Sequence, residues 1–426
     1  MLKIFSFTAS FCLIAAFASA QEPAAPPAET APAAAVEQPP AETPAAESPT
    51  DQPPAEAPAE PSPEAVAARG AFDVIHQQWS ELVTQINTIQ AERKKAQGDA
   101  RTKLDAQAAE LRAQADELVD KIVDAGLAVY QADPDAYPEI NATLLAVAQF
   151  HLTGDPRGDG GDQYEKALPI VKSMLEAGAG DQWPQLYLWG AIAAYNTNDF
   201  TLAEQYFAKA RETGADAAGS PPSLLDAGAK FRHELPALRK AWEAEQKIRA
   251  AEAEADDLPR VKLTTTRGDI VLELFENEAP QSVANFITLV KDGFYDGIVF
   301  HRVLPGFMAQ GGDPTGTGTG GPGYNIRDEH QLPNARRHFR GSISMANQGK
   351  ERPNSGSSQF FLTFIPTSPL DGGHAVFGRV IEGMDVAASL KRRDPDAPVG
   401  TPDRIVKAEV LRDRGHEYEF EKLPER

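Results

Sequence analysis

The stretch Val261-Lys-Leu-Thr-Thr-Thr-Arg-Gly-Asp-Ile-Val-Leu-Glu-Leu274 decides the fold class of the C-terminal part of the chain. Val261 and Leu263, then Ile270, Leu272 and Leu274, alternate with polar positions on either side of Arg267-Gly268, which predicts a β-hairpin. Downstream, Pro280 opens an amphipathic helix whose apolar face is Val283, Phe286, Ile287, Leu289 and Val290, with Gly293 as its stop. Short strand-like runs then recur at Ile298–Val303, Ser342–Ala346, Gln359–Phe364 and Ala375–Val380. A second short helix near Met384–Leu390 and a last strand near Arg404–Leu411 follow. Many short strands, Gly/Pro turns and only two helices predict a closed antiparallel barrel.

Upstream the period is helical. Phe72, Ile75, Trp79, Leu82, Val83, Ile86 and Ile89, then Leu104, Leu111, Ala115, Leu118, Ile122 and Val123, predict either one long helix or a helical hairpin, a helical or coiled-coil segment over 66–133. From Trp183 to Ala210 the spacing of Tyr195, Phe200, Ala203, Phe207 and Ala210 resembles a tetratricopeptide repeat, with Ala191 where that repeat usually has glycine. A weaker copy runs from about Glu139 to Ala177, with Tyr164, Ala167 and Val171 in its second helix. Two repeats are too few for a free-standing solenoid, so these hairpins are expected to pack on helices between Pro222 and Ala255. Such a domain, 134–258, reads either as a groove for a partner protein or as a structural support.

Composition places the remainder. The chain has 426 residues and a formal charge of -21. Residues 260–426 carry 21 basic and 22 acidic side chains, so the acidity lies N-terminal to them and the surface as a whole is a poor match for nucleic acid. Residues 1–20 have Lys3, an apolar run from Ile4 to Phe17 and Ala18-Ser19-Ala20, the pattern of a cleavable signal peptide. No later stretch approaches the ~20 apolar residues of a membrane span. The expectation is therefore an exported protein, periplasmic in a Gram-negative-type bacterium. Cys12 is the only cysteine, lies in the signal segment, and follows Phe11 rather than the small residue of an acylation site. The mature chain then has no disulfide, no thiolate chemistry and no Cys-based metal site. In 21–65, Pro, Ala and Glu make up 35 of 45 residues, the composition of a disordered linker.

Four segments carry the chemistry: Phe300-His-Arg-Val-Leu-Pro-Gly-Phe-Met-Ala-Gln-Gly-Gly-Asp313, Ser344-Met-Ala-Asn347, Ser358-Gln-Phe-Phe361 and Leu370-Asp-Gly-Gly-His-Ala-Val-Phe-Gly378. In this order they resemble the signature segments of the cyclophilin peptidyl-prolyl isomerases, over 259–413, with 414–426 left as a C-terminal tail. The resemblance implies an eight-stranded antiparallel barrel capped by two helices, and a multidomain α+β chain in all. It also implies that Arg302 is the catalytic cation, that Phe307, Met308, Phe361 and Leu370 line a proline pocket with His374 at its edge, and that Gln310 and Asn347 hold substrate backbone. Ala346 and Gln359 complete the groove. The residue before Leu370 is Pro369, where many eukaryotic members have tryptophan, so an indole N–H donor and a flat wall are missing.

The residue types suit the reaction. Rotation about an X-Pro bond loses amide resonance, a barrier of ~20 kcal/mol, and takes tens to hundreds of seconds unaided. No bond is made or broken, so neither a nucleophile nor a metal or other cofactor is required. An apolar cup for the ring, fixed contacts to the flanking backbone and a cation favouring the twisted, pyramidal nitrogen suffice. Taken singly, Arg302 also reads as an ion-pair partner, the apolar residues as core and Gln310 or Asn347 as loop support. A non-catalytic module that binds proline peptides is the alternative function. Strand alternation turns His301 away from Arg302.

Other motifs fall short. Gly316-Thr-Gly-Thr-Gly-Gly321 matches G-x-G-x-x-G without a following helix and is expected to be a mobile loop beside the groove. His374 beside Asp371 suggests acid/base work that isomerisation does not need. Asp155, Asp159 and Asp162 lack the spacing of a calcium loop.

Overall fold

The structure is a computed structural model that describes residues 60–154, 160–398 and 400–425. The signal segment, the linker up to residue 59, and Asp155 and Asp159 lie outside these residues. The described chain divides into two compact units, 60–143 and 144–425.

In the first unit α1 (Pro63–Arg93) and α2 (Gly98–Ala132) form a hairpin, which resolves the two readings of the sequence in favour of the second. The helix begins inside the stretch assigned to the linker because Ser62 caps it, its Oγ accepting from Ala65 N at 3.1 Å, and Pro63 fits the first turn. The antiparallel ends meet where Ser62 N donates to Asp133 at 3.1 Å. Buried residues recur every seven positions, Ala65, Phe72, Trp79 and Ile86 on α1 and Ala108, Ala115, Ile122 and Val129 on α2, the spacing of a two-helix seam.

The second unit opens with the end of α3 (Pro138–Thr153), then α4 (Tyr164–Glu176), α5 (Gln185–Asn196), α6 (Phe200–Glu212) and the long α7 (Pro222–Ala255). Asp199 caps α6 by accepting from Leu202 N at 3.0 Å. Tyr195 joins the layers, edge-on to Phe200 and stacked on Phe231 of α7 at 4.4 Å, with its hydroxyl donating to Glu234. The close approach falls at Gly190, where a Cβ would stand 2.8 Å from the Tyr206 ring, rather than at Ala191.

Strands β1 (Arg260–Thr265), β2 (Gly268–Leu274), β3 (Arg302–Leu304), β4 (Met308–Gly311), β6 (Ser342–Met345), β7 (Phe360–Thr363), β8 (Val376–Glu382) and β9 (Ile405–Arg412) form one antiparallel sheet in the order β3-β4-β7-β6-β8-β2-β1-β9. A two-residue pair, β5 (Tyr324–Asn325) and β10 (Leu423–Pro424), ties down the C-terminal segment. The sheet is curled and open, which corrects the expected closed barrel. Of the anticipated run Ile298–Val303 only Arg302 and Val303 are strand, so the edges β3 and β9 share no ladder; the seam is crossed by the bridge Val299–Arg404 and by backbone hydrogen bonds from Gly297 N to Ile405 O, Ile405 N to Ile298 O and Phe300 N to Asp403 O.

Helix α8 (Pro280–Lys291) covers the core face. Glu329 caps it, accepting from the backbone N–H groups of Gln281 and Ser282, each at 2.8 Å. Its Phe286 meets Phe360, Phe377 and Tyr295 with ring centroids 5.1 to 5.6 Å apart. A short helix, α9 (Met384–Ala388), lies beside β2. At the end of β4, Gly312 has φ +86° and a Cβ there would stand 2.3 Å from the Ser358 carbonyl oxygen. Gly312→Ala is expected to destabilise the protein by ~2 to 3 kcal/mol, read as a lower urea midpoint at unchanged slope. A midpoint equal to wild type would show that the turn relaxes freely. Among the described residues no helix is long and apolar enough to cross a membrane.

Candidate active site

The register of the β3–β4–β7–β6 strands sorts side chains into two faces. Val303, Ala309, Leu362 and Ile343 are successive cross-strand partners and belong to the core. One position along, Arg302, Gln310, Phe361 and Ser344 make the next row. Because side chains alternate along a strand, this second row lies on the face away from the core. Met308, two positions before Gln310, shares that face. Four residues separated by up to 59 positions in the chain are thus brought into one strip by pairing alone.

Arg302 is half-buried, with Cζ 5.7 Å from the centre of the Phe307 ring. No carboxylate among the described residues is within ion-pair distance of it, which sets aside its reading as an ion-pair partner. Gln310 Nε2 donates to Gln359 Oε1 at 2.9 Å, and Gln359 Nε2 donates to the carbonyls of Gly318 and Gly320 at 3.1 and 2.9 Å. Ala346 N donates to the Gln359 carbonyl at 3.0 Å. Asn347 Nδ2 donates to Gly373 O at 2.8 Å and its Oδ1 accepts from Gly349 N, so the amide joins the loop after β6 to the loop before β8.

Phe361 lies between two imidazoles. His338 stacks on it with centroids 5.9 Å apart at 5°, and His374 meets it edge-on at 5.4 Å. His374 Nδ1 is 3.0 Å from the Met345 carbonyl. Burial pushes His374 below the usual imidazole pKa, and that hydrogen bond opposes the shift only partly. The ring is therefore neutral at neutral pH, and any turnover in this groove is expected to stay within about twofold from pH 6.5 to about 9. A rate profile that rises or falls through pH 7 would contradict it. Leu370, half-buried, ends a single 3₁₀ turn (Ser368–Leu370), and its carbonyl accepts from Gly373 and His374. That places it in the same loop as His374.

Asp371 pairs with His338, not with His374: His338 Nδ1 is 2.8 Å from its Oδ1 and His338 N donates to the same oxygen. His338 Nε2 is in turn 3.0 Å from Ser344 Oγ, a Ser–His–Asp sequence of contacts. Ser344 is fully buried and donates to Ala375 O, so it offers no nucleophile to solvent. The arrangement instead backs the Phe361 ring. His338 went unnoticed in the sequence; the cluster Arg336-Arg-His-Phe-Arg340 before a strand was its only signal.

The glycine-rich loop is held rather than free. Asp313 accepts from the N–H groups of Thr315, Thr317 and Gly318 and from the Thr315 hydroxyl. Burial alone would raise its pKa, but these donors outweigh it and hold the carboxyl at about 2. Its share of stability is complete above the ordinary carboxylate pKa and is lost as pH falls through about 2. His301 is buried beside this loop, 3.6 Å from where a Gly318 Cβ would stand, and outside the strip, as strand alternation predicts.

Residues 260–410 match the family model of cyclophilin-type peptidyl-prolyl cis-trans isomerases. A peptidyl-prolyl cis-trans isomerase of Helicobacter pylori is 52% identical over 134 residues, 31% of this chain and 80% of that protein. The isomerase ppi1 of Schizosaccharomyces pombe is 46% identical over 159 residues, 36% of this chain and 100% of that protein. A crystal structure of a cyclophilin-type isomerase from Cryptosporidium parvum is similar at 33% identity, covering 37% of this chain and 99% of that one, with a TM-score of 0.34. With a relative this similar matched over most of its own length, the chain belongs to the cyclophilin-type peptidyl-prolyl cis-trans isomerases.

Proposed function

We propose that the protein is an exported folding catalyst that turns X-Pro bonds in flexible segments of other exported polypeptides, using the strip of Arg302, Gln310 and Phe361. The observation that carries this reading is the guanidinium of Arg302, with no ion-pair partner among the described residues, held over Phe307 next to a row of apolar and amide side chains. In the ground state the amide nitrogen is planar and its lone pair delocalised. As the bond twists, the nitrogen pyramidalises and its lone pair becomes an acceptor, so a fixed donor there binds the transition state more tightly than either isomer. Met308, Phe361, Phe307 and Leu370 receive the proline ring with His374 at the rim. Gln310, Asn347, Ala346 and Gln359 fix the flanking backbone.

The helical residues 134–258, read as tetratricopeptide-like, recruit clients or a partner protein, and the Pro/Ala/Glu-rich segment 21–65 gives the assembly reach. Residues 1–20 direct export to the periplasm. Two measurements test this reading. The protein should accelerate cis-to-trans isomerisation of an Ala-Pro test peptide, and mass spectrometry of the exported protein should give Gln21 as its first residue. No acceleration by folded protein would leave proline-peptide binding as the function, and an N-terminus at Met1 in the secreted fraction would remove the export step.

A further inference from the structure

Asp162 stands in the connection between α3 and α4, far from the strip in sequence, yet its carboxylate reaches the turn that joins β3 to β4. Both oxygens accept from Gly306 N, at 3.1 and 3.0 Å. The side chain is 3% exposed, and it also accepts from the Tyr164 hydroxyl at 3.0 Å and from Arg392 at 2.8 Å. Gly306 lies between Arg302 on one strand and Met308 on the other, next to Phe307 in the same turn. A second path runs to the same turn: Arg392 lies over the Phe364 ring at 4.9 Å, and Phe364 N donates to the Phe307 carbonyl at 2.9 Å. Arg340 closes the grip, donating to Asp162 O at 2.6 Å, to the Phe364 carbonyl and to Glu165.

We propose that Asp162 is a positioning residue for the isomerase reaction: from the helical region it fixes the β3–β4 turn and through it the placement of Arg302 over Phe307. The inference rests on the reading of Arg302 as the catalytic cation. A buried carboxylate with two oxygens on one backbone N–H is a charge-assisted contact, stronger than the water contact that would replace it. The turn has only three residues, Pro305 to Phe307, so motion at Gly306 is transmitted to both flanking side chains. The proline pocket depends on this less, because Met308 and Phe361 are held by the β4–β7 ladder. Loss of Asp162 should therefore affect the transition state more than substrate binding.

Asp162 has φ +57°, which glycine adopts freely and asparagine tolerates. Asp162→Gly removes the carboxylate without backbone strain, and Asp162→Asn keeps one acceptor. In the full chain, with an Ala-Pro test peptide, Asp162→Gly is expected to lower kcat ~10-fold and Asp162→Asn ~3-fold, with KM within about twofold. The Gly306 amide proton should shift upfield as its hydrogen bond is lost. Glu252→Gln serves as the control: it weakens contacts between α7 and the sheet without touching the hairpin, and should lower the melting temperature while leaving kcat unchanged. If Asp162→Gly retains kcat within twofold, or Glu252→Gln lowers kcat equally, Asp162 positions nothing and only helps the fold. Arg302→Ala measured alongside separates the two ideas. If it keeps full activity, the site reading itself fails; if it collapses while Asp162→Gly does not, only this inference fails.

Discussion

Arg302→Ala is expected to lower kcat/KM for an Ala-Pro test peptide by ~30- to 1000-fold, corresponding to the ~2 to 4 kcal/mol that one preorganised charge-assisted contact supplies to a transition state. The loss should appear in kcat, because the guanidinium faces a nitrogen lone pair that exists only in the twisted amide. Stability should change little: Arg302 is half-buried and has no ion-pair partner among the described residues to leave behind. Arg302→Lys should recover only part of the rate, since an ammonium lacks the planar fork and its stacking on Phe307. Circular dichroism and a urea curve taken with the kinetics would separate chemistry from folding. A variant with native stability and more than a third of wild-type kcat/KM would remove Arg302 from the mechanism.

Arg336→Leu is expected to cost ~3 kcal/mol of stability, because it removes the cation shared by two buried carboxylates and leaves Glu245 with Arg249 and Glu252 with Arg379 alone. Arg336 is almost fully buried. Its Nε and Nη2 form a fork to Glu245 of α7 at 2.9 and 2.6 Å, its Nη1 donates to Glu252, and its Cζ lies 3.9 Å above the Phe275 ring. Burial alone would lower the pKa of this guanidinium, but the two carboxylates hold it above its ordinary value. Glu245 is shifted the other way: burial would raise it, but Arg336 and Arg249 hold it below the usual carboxylate range. Its contribution is therefore complete above the ordinary carboxylate pKa and disappears as pH falls through the lower value of the folded state. The wild-type minus variant difference in urea midpoint should accordingly narrow in acid. A difference below 1 kcal/mol at pH 7 would mean that water solvates the carboxylates in the variant.

What was legible in the sequence was whatever is local. The β1–β2 hairpin and α8 emerge within a residue or two of their expected bounds because alternation, Pro280 and Gly293 are signals over short windows. Strand β4 was not anticipated: Met308-Ala-Gln-Gly311 runs into two glycines and has no alternation to reveal it. The closed barrel was an over-extension for a related reason: apolar residues from Ile298 to Phe300 suggest a full strand, yet they join residues 403–405 only through a bridge and isolated backbone hydrogen bonds. The strip of Arg302, Gln310 and Phe361 could be anticipated because its motif segments carry family information, and strand pairing then assembles them. Asp162 and Arg336 could not, because their partners stand 144 and 84 to 91 positions away and nothing in the intervening chain marks the pairing. Asp371 was noticed, but for its neighbour in sequence, His374, rather than for its neighbour in space, His338.

The two-face sorting of the β3–β4 hairpin has a consequence for tolerance to length change. Arg302 faces outward only because Val303 faces inward, and the same parity holds for Gln310 against Ala309. One residue inserted or deleted within either strand would invert that parity for the shifted part, driving a guanidinium toward the aromatic core while exposing the valine. Catalytic geometry and folding would fail together, from a change that altered no functional side chain. Length variation in this hairpin is therefore confined to steps of two residues or to the turn itself. Libraries that diversify the groove can vary identity at Gln310 or Phe361, but must keep Arg302 and the count of residues between them.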